Sequence, residues 1–403
     1  MSRPNPGWRT PFVVLLCGSI LLSISLGVRH AFGLFLAPMS SDLGWGREAF
    51  ATAIALQNLV WGLSQPLAGR LSDRYGAGWI VFSGGLLYIA GLALMAISTD
   101  QAMLLFSAGI LIGLGLSGTT FNVVFGVVSR VLPPERRSWA MGVSMSVGSL
   151  GQFVLLPGSD LLITGVGWSH ALLLLAALSL LMLPLSLALT EDRSHSTHVA
   201  LPLKQALGEA FSHRGFWLLS FGFFTCGFQV VFIATHLPAF LTDGGLSATV
   251  GAMALALIGL FNIAGSYLAG LWGGRYAKPK LLSGIYAARL LVIGIFLVLP
   301  LSQWSAYVFA IAMGLLWLST VPLTNGTVAT IFGVGNLSML GGLVFLFHQL
   351  GAFLGGWLGG YVYDLSGSYD VVWLVAIALS VTAALLNLPI REVPLQRREA
   401  ATT

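Results

Sequence analysis

The feature that most constrains this chain is a succession of apolar segments, each long enough to cross a lipid bilayer, along almost its whole length. A transmembrane helix needs about 20 consecutive, mostly apolar residues. Charged residues make up only 8% of the 403 positions, against roughly 25% in a water-soluble domain. The sequence therefore predicts an all-α membrane protein without a water-soluble domain.

Twelve such segments can be counted, and we expect each to form one transmembrane helix. They lie at residues 11–37, 48–70, 79–98, 102–129, 138–160, 169–190, 215–241, 248–273, 281–300, 304–330, 336–363 and 370–390. The first apolar run lacks the small-residue cleavage pattern of a secretory signal, so it is interpreted as a membrane helix. The lipid bilayer is therefore the first expected partner.

The basic residues predict the orientation of the chain in the membrane. With the twelve spans in place, sixteen of the nineteen Lys and Arg residues fall on the side of the N-terminus, and only Arg47 falls on the opposite side. Cytoplasmic segments carry the excess of Lys and Arg. We therefore expect a multi-pass protein of the cell inner membrane with both termini in the cytoplasm. The two remaining basic residues, Arg29 and Arg289, lie inside spans, where function should be sought.

The chain also matches itself at an offset of about 200 residues, in four pairs of helices. The matches are Gly27, Phe32 and Pro38 with Gly227, Phe232 and Pro238; Arg74 and Tyr75 with Arg275 and Tyr276; Asn122 with Asn325; and Gly151 and Phe153 with Gly351 and Phe353. Such a period indicates two similar six-helix bundles. We expect the first bundle at residues 1–190, a cytoplasmic linker at 191–214 and the second bundle at 215–403. Parallel repeats place a substrate between the bundles, near the middle of the membrane.

The segment Gly69-Arg-Leu-Ser-Asp73-Arg74-Tyr-Gly76, between the second and third spans, resembles the signature loop of the major facilitator superfamily. The resemblance implies the major facilitator fold of two pseudo-symmetric bundles and a gate on the cytoplasmic side, for which we expect Gly69, Asp73, Arg74 and Arg136. A carboxylate at a helix N-terminus, or beside Arg74 or Arg136, is stabilised. A solvated turn is the structural alternative. In the second copy of the loop, Gly274 replaces the acid.

Within that superfamily, the first span is similar to the monocarboxylate porters and their bacterial relatives. The stretch Gly27-Val-Arg29-His30-Ala-Phe-Gly-Leu-Phe35 resembles the place where those porters carry a cation that meets the substrate carboxylate. The resemblance implies that Arg29 binds an anionic substrate. The eighth span departs from the pattern, since Asn262 and Ser266 stand where an Asp and an Arg are usual. The usual proton-coupling pair is therefore absent.

Arg29 also stands out on physical grounds. An arginine at the centre of a transmembrane helix costs about 2.5–3.5 kcal/mol, and Arg29 lies about 12 Å from the outer end of its predicted span. No Asp or Glu lies deep in another span to pair with it, Asp160 being the nearest exception. An unpaired cation indicates that the substrate supplies the anion. Hydrogen bonds to backbone carbonyls are the structural alternative.

Further polar residues inside the spans are candidates for the same substrate site. They are His30, Asn122, Gln152, Gln229, Asn262, Arg289, Asn325, His348 and Gln349. Gln229 is the repeat partner of Arg29, and a histidine can exchange a proton near neutral pH. For each candidate, an interhelical hydrogen bond is the structural alternative. The long stem of Arg289 could instead reach the cytoplasmic interface.

Together these features predict a secondary active transporter that moves a small organic anion of the monocarboxylate class by alternating access, with proton symport or exchange as the coupling. A drug or metabolite exporter of the same fold is the alternative, although the acid that such exporters commonly carry in the first or fourth helix is missing here. A non-transporting receptor would need a signalling domain, and the linker and tails are too short for one. The sequence contains no phosphate loop, metal cluster or nucleophile constellation. We therefore expect a monomer without enzyme activity, cofactor, metal or nucleic-acid partner.

Overall fold

The chain forms twelve long helices in the part that the computed structural model describes, which comprises residues 8–45, 47–191 and 200–396. No strand occurs in these residues. The helices are α1 Pro11–Leu43, α2 Arg47–Tyr75, α3 Ala77–Ala96, α4 Gln101–Val131, α5 Pro134–Val166, α6 Trp168–Ala188, α7 Arg214–Asp243, α8 Ala248–Gly273, α9 Lys278–Val298, α10 Gln303–Phe332, α11 Leu337–Ser366 and α12 Asp370–Asn387. A shorter connecting helix, Leu203–Ser212, lies between α6 and α7.

Eleven of these helices are long and apolar enough to cross a membrane, judged by length and composition. The exception, α2, is 29 residues long, but Gln57, Asn58 and Gln65 interrupt its apolar residues. Every predicted span coincides with a helix, so the predicted all-α architecture is confirmed. Some helices run past the predicted ends, α1 to Leu43 and α2 to Tyr75, because apolar runs mark the hydrocarbon core whereas polar residues can continue a helix beyond it.

Two helices that correspond in the internal repeat are each broken. In α4 the backbone is extended at Thr120, and α10 is interrupted between Leu316 and Thr320. A break leaves carbonyl groups without intrahelical partners, and inside a membrane other protein groups must satisfy them. At the α10 break, the carbonyls of Leu316 and Trp317 accept hydrogen bonds from Arg289 of α9. The repeat thus extends to irregular backbone as well as to residue types.

Glycines that match in the repeat make equivalent close contacts. A Cβ added at Gly151 of α5 would lie 2.1 Å from the Ser23 carbonyl oxygen of α1, and one at Gly351 of α11 would lie 2.1 Å from the Phe224 carbonyl oxygen of α7. Small residues let helix backbones approach this closely in lipid. Helix α1 therefore packs on α5 as α7 packs on α11. We call helices α1–α6 the first set and helices α7–α12 the second set.

The two sets meet at two joints near the end of the bundle where α1 begins and α12 ends, which we call the terminal face. In the α2–α11 joint, a Cβ at Gly69 would lie 2.3 Å from the Ser338 carbonyl oxygen. In the α5–α8 joint, a Cβ at Gly142 would lie 2.6 Å from Gly270 Cα. Both joints are therefore packed backbone to backbone, and they close the terminal face.

Contacts between the sets continue to about the middle of the helices. There Gln349 of α11 donates to Asn58 of α2, and Asn262 of α8 donates to Ser149 of α5. Nearer the opposite face, a Cβ added at Gly158 of α5 or Gly259 of α8 would meet no heavy atom within 4 Å. Both helices thus have open space at these positions, unlike at Gly142 and Gly270.

Replacing Gly151 with Ala should destabilise the protein, because the new Cβ would press on the backbone of Ser23. Overpacking of this kind costs about 1–3 kcal/mol, so we expect a lower thermal unfolding temperature in detergent solution. Gly158→Ala in the same helix is the control. Open space surrounds that position, and an Ala suits a helix interior better than a Gly. An equal effect of the two substitutions would contradict the packing argument.

Candidate functional site

Arg29 lies in α1 shortly before the helix tightens at Phe32–Phe35. Its Nη2 donates a hydrogen bond of 2.5 Å to Asn58 Oδ1, and its guanidinium lies over Trp61, 4.9 Å from the ring centre. Its Nε is buried without a partner in the described part of the chain, where no ion pair includes Arg29. A guanidinium has five N–H donors, so Arg29 keeps donors for another acceptor.

A chain of hydrogen bonds links Arg29 to the second set. Asn58 Nδ2 donates to the Ile54 carbonyl at 2.9 Å, which turns Asn58 Oδ1 toward Arg29. Gln349 Nε2 donates to the Asn58 carbonyl at 3.0 Å and lies 3.4 Å from Asn58 Oδ1. Gln349 Oε1 in turn lies 3.3 Å from His348 Nδ1. The predicted candidates Arg29, His348 and Gln349 therefore form one cluster between the two sets.

Aromatic rings separate this cluster from the terminal face. Trp61 packs on Phe345 of α11 with ring centres 4.8 Å apart, and Phe345 packs edge-on against Phe121 of α4 at 5.1 Å. The Trp61 indole N–H donates to Gln65 Oε1 at 2.9 Å, which fixes the ring. All three rings are buried. A ligand at Arg29 would therefore contact amide groups on one side and the aromatic rings of Trp61 and Phe345 on the other.

Asn122 of α4 and Asn325 of α10 lie apart from Arg29, nearer the terminal face. They converge on Gly341, one turn along α11 from Phe345: a Cβ there would lie 2.4 Å from Asn325 Oδ1 and 3.1 Å from Asn122 Oδ1. Both amide atoms of Asn122 and the amide oxygen of Asn325 are buried without a partner among the described residues. These two candidates form a second polar group.

His30 and Gln152, the two remaining candidates of the first set, lie outside the cluster of Arg29. His30 Nδ1 lies 2.6 Å from the Leu26 carbonyl oxygen of its own helix. Gln152 follows Gly151 at the contact between α1 and α5 and is 8% exposed. Among the described residues, no hydrogen bond joins either side chain to the cluster of Arg29.

Arg289 serves the packing of the second set. It is 0% exposed and donates to Gln229 Oε1 at 3.1 Å, to the Leu316 carbonyl at 2.7 Å and to the Trp317 carbonyl. The interpretation that its stem reaches the cytoplasmic interface is wrong, because the guanidinium turns inward to satisfy the broken α10 helix.

Gln229 and Asn262 form hydrogen bonds with groups other than Arg29. Gln229 Nε2 donates to the Ala376 carbonyl of α12 at 2.9 Å. Asn262 Nδ2 donates to Ser149 Oγ at 2.9 Å, and Asn262 Oδ1 accepts from the Leu318 backbone N–H at 3.0 Å. Asn262 therefore joins α8 to α5 and to the α10 break, which is the interhelical role given above as its alternative.

Asp73 joins the two sets at the terminal face. It is fully buried, and its carboxylate accepts from Arg130 Nη1 at 2.9 Å and from the backbone N–H groups of Met339 and Ser338, at 2.8 and 3.3 Å. Those N–H groups lie at the start of α11, where the helix dipole favours an anion. Arg130 also binds Glu191, with a shortest distance of 2.7 Å. Asp73 thus caps a helix of the second set beside Gly69, where α2 and α11 meet.

The expectation that Arg74 or Arg136 pairs with Asp73 is wrong, because Arg130 is its partner. Arg74 and Arg136 are exposed, and the Arg74 guanidinium lies over Tyr75, 5.1 Å from the ring centre. Because α2 continues to Tyr75, the residue after Asp73 points about 100° around the helix. Arg130, at the end of α4 nearest the terminal face, is the arginine that pairs with Asp73.

The structure adds Asn58, Trp61 and Arg130 to the candidates for the site and the gate. Asn58, Trp61 and Gln65 recur at helical spacing and share one face of α2. This face of α2 lies next to Arg29 on the neighbouring helix, and its spacing is the signal in the sequence that points to Asn58 and Trp61. Arg130 stands at a span end, where only the folded arrangement distinguishes it from other terminal-side arginines.

Comparisons with known proteins define the class to which this arrangement belongs. The sequence profile of the Major Facilitator Superfamily matches residues 15–336, and the chain belongs to this superfamily of membrane transporters. It is 28% identical to monocarboxylate transporter 13 of Rattus norvegicus, over 96% of this chain and 90% of the relative. It is 22% identical to the oxalate:formate antiporter of Oxalobacter formigenes, over 96% and 94%.

The solved structures agree on the fold. The Escherichia coli fucose:proton symporter FucP matches with a TM-score of 0.73 and 16% identity, over 93% of this chain and 97% of that one. At this identity the likeness concerns the fold alone. The predicted major facilitator fold and the resemblance to monocarboxylate-porter-like members are confirmed, and the chain is a transporter rather than an enzyme.

Asp73→Asn should weaken the closed terminal face, because it removes the charged acceptor that binds the backbone N–H groups at the start of α11. A hydrogen bond to a charged group contributes about 1.5–3 kcal/mol. A thiol introduced by Ser138→Cys, a 3% exposed position in the α5–α8 joint, reports opening once Cys17 and Cys226 are replaced. We expect this thiol to be protected from a water-soluble maleimide in the parent and to react several-fold faster with Asp73→Asn.

The matched control for this measurement is Asp160→Asn, which makes the same change at an exposed position of α5. It should leave the maleimide rate as in the parent. An unchanged rate with Asp73→Asn would contradict the role of Asp73 in closing the face.

Proposed function

We propose that this transporter moves a small organic anion of the monocarboxylate class across the cell inner membrane by alternating access. The observation that carries the proposal is Arg29, a cation between the two helix sets that binds one amide oxygen and pairs with no carboxylate of the described residues. A guanidinium can bind a carboxylate through two parallel hydrogen bonds. An anion bound there would offset the cost of a charge within the membrane.

The chemistry around Arg29 favours a substrate with one carboxylate. Among the described spans, the other deeply placed cation, Arg289, is already engaged by carbonyl groups and Gln229. Trp61 and Phe345 offer an apolar surface that suits the hydrocarbon part of a small acid. The names of the relatives, a monocarboxylate transporter and an oxalate:formate antiporter, also support a carboxylate substrate.

In this proposal, the terminal face is cytoplasmic and the structure represents the state closed on that side. The exposed basic residues Arg74 and Arg136 near that face support the assignment. To release the substrate to the cytoplasm, the α2–α11 and α5–α8 joints at Gly69 and Gly142 would part, and Asp73 would leave the start of α11.

Arg29→Gln should abolish uptake of labelled monocarboxylates by proteoliposomes, because the neutral amide cannot replace the charge-assisted contact. Arg29→Lys keeps the charge but loses the planar pair of donors, so we expect intermediate uptake. Arg275→Gln, at an exposed position, is the control and should transport as the parent does. Unchanged uptake by Arg29→Gln would refute the proposal, and saturable movement of cationic compounds would favour an exporter.

Proton symport is the coupling that we propose, with His348 as the proton carrier. His348 contacts Gln349 of the Arg29 cluster and packs on Phe345, and an imidazole can both accept and donate a proton through its two nitrogens. Cys226 on α7, whose thiol lies 3.1 Å from Thr320 Oγ1, is the buried thiol of the second set. We expect His348→Gln to lower uptake driven by an inward proton gradient at least tenfold, while exchange of labelled for unlabelled substrate continues.

Cys226→Ser is the control for this prediction, because it removes this buried thiol and leaves the histidine. Gradient-driven uptake should persist in that variant. If His348→Gln retains full gradient-driven uptake, His348 is not the proton carrier, and exchange becomes the coupling to test.

A further inference from the structure

One oxygen atom lies between hydrogen-bond donors from the two helix sets. Asn58 Oδ1 accepts from Arg29 Nη2 at 2.5 Å and lies 3.4 Å from Gln349 Nε2. Its amide cannot rotate freely, because Asn58 Nδ2 is tied to the Ile54 carbonyl. The Gln349 side chain approaches closely because residue 62 of α2 is a glycine: a Cβ there would lie 2.8 Å from Gln349 Cβ.

We propose that Asn58 Oδ1 occupies the place that a substrate carboxylate oxygen would take, so that Asn58 competes with the substrate for Arg29. The inference rests on the proposed function, since it takes Arg29 as the anion-binding cation. Binding of a carboxylate would break the Arg29–Asn58 hydrogen bond and form new ones from Arg29 to the carboxylate oxygens. Gln349 Nε2 would then be within reach of the same anion, so that one ligand would bridge both sets.

Such a competitor makes Asn58 a specificity-determining residue. A neutral amide oxygen already satisfies Arg29, so a ligand binds only if its acceptor is stronger than an amide. A carboxylate carries a full negative charge that attracts the guanidinium, and its two oxygens can accept two parallel hydrogen bonds from it. Carboxylates can therefore displace Asn58, whereas neutral alcohols and amides of the same shape cannot. The arrangement also spares Arg29 from lying in the membrane without an acceptor when no substrate is bound.

The proposal predicts opposite effects for two substitutions at one position. Asn58→Ala removes the competing acceptor, so we expect lactate to bind about tenfold more tightly and lactamide, its neutral amide, to gain measurable binding. Asn58→Asp places a permanent carboxylate beside Arg29. We expect a higher unfolding temperature without ligand and no further stabilisation by lactate at 100 times the dissociation constant of the parent.

The measurement is thermal unfolding of the full-length protein in detergent against lactate, acetate, propionate and lactamide, with uptake in proteoliposomes as a second readout. Ligand binding to the native state raises the unfolding temperature, and the stabilisation grows with the logarithm of one plus the ratio of ligand concentration to Kd. Since each variant has its own ligand-free unfolding curve, loss of folding is separated from loss of binding. Asn58→Ala alone can decide the matter if Asn58→Asp does not fold.

Arg29→Gln separates this inference from the proposed function. If Arg29→Gln still binds lactate as the parent does, or if the parent binds no member of the panel, the proposed function fails, and this inference fails with it. If Arg29→Gln loses lactate binding while Asn58→Asp binds it normally, or while Asn58→Ala binds it no better than the parent, only the role of Asn58 is overturned.

Discussion

A positive charge inside a membrane protein must find acceptors within the protein, and three arginines of this transporter do so to different degrees. Arg289 is surrounded by the carbonyls of the broken α10 helix and by Gln229. Arg130 is held by the carboxylates of Asp73 and Glu191. Arg29 has one amide oxygen and the face of one indole ring. The first two arginines stabilise an arrangement of helices, whereas the third retains the capacity to bind a ligand.

The internal repeat supplies a similar backbone twice, and the side chains on it have diverged. Gly151 and Gly351 make the same helix contact in the two sets. In contrast, Asp73 caps α11 while its counterpart, Gly274, carries no side chain that could cap α5. Arg29 likewise faces the centre, while Gln229 faces α12. Symmetry therefore builds the scaffold, and the departures from symmetry put the cation on one set and a neutral amide, Gln349, on the other.

The amino-acid sequence predicted the elements better than the directions of their side chains. Apolar runs located every helix, and the rarity of charge inside the spans singled out Arg29, because both signals depend on residue type alone. The orientation of a side chain depends on helix rotation, and a shift of one residue turns it by about 100°. A repeat offset that varies between 200 and 203 residues could not show that Gln229 turns away from Arg29. The partner of Asp73 was missed for a similar reason, since Arg74, Arg130 and Arg136 all lie near the same face.

The closed terminal face combines stabilising contacts with buried polar atoms that have no hydrogen-bond partner among the described residues. The hydrogen bonds from the start of α11 to Asp73 and the backbone packing at Gly69 hold it shut. Against them, the amides of Asn122 and Asn325 bury polar atoms that have no partner among the described residues, and each such atom costs about 1–3 kcal/mol. If the joints part, water can reach these amides, and that cost disappears as Asp73 loses its hydrogen bonds from α11. The proposed alternating access requires two states separated by only a few kcal/mol, and the buried amides of Asn122 and Asn325 near Asp73 are a physical means of keeping the closed state from becoming too stable.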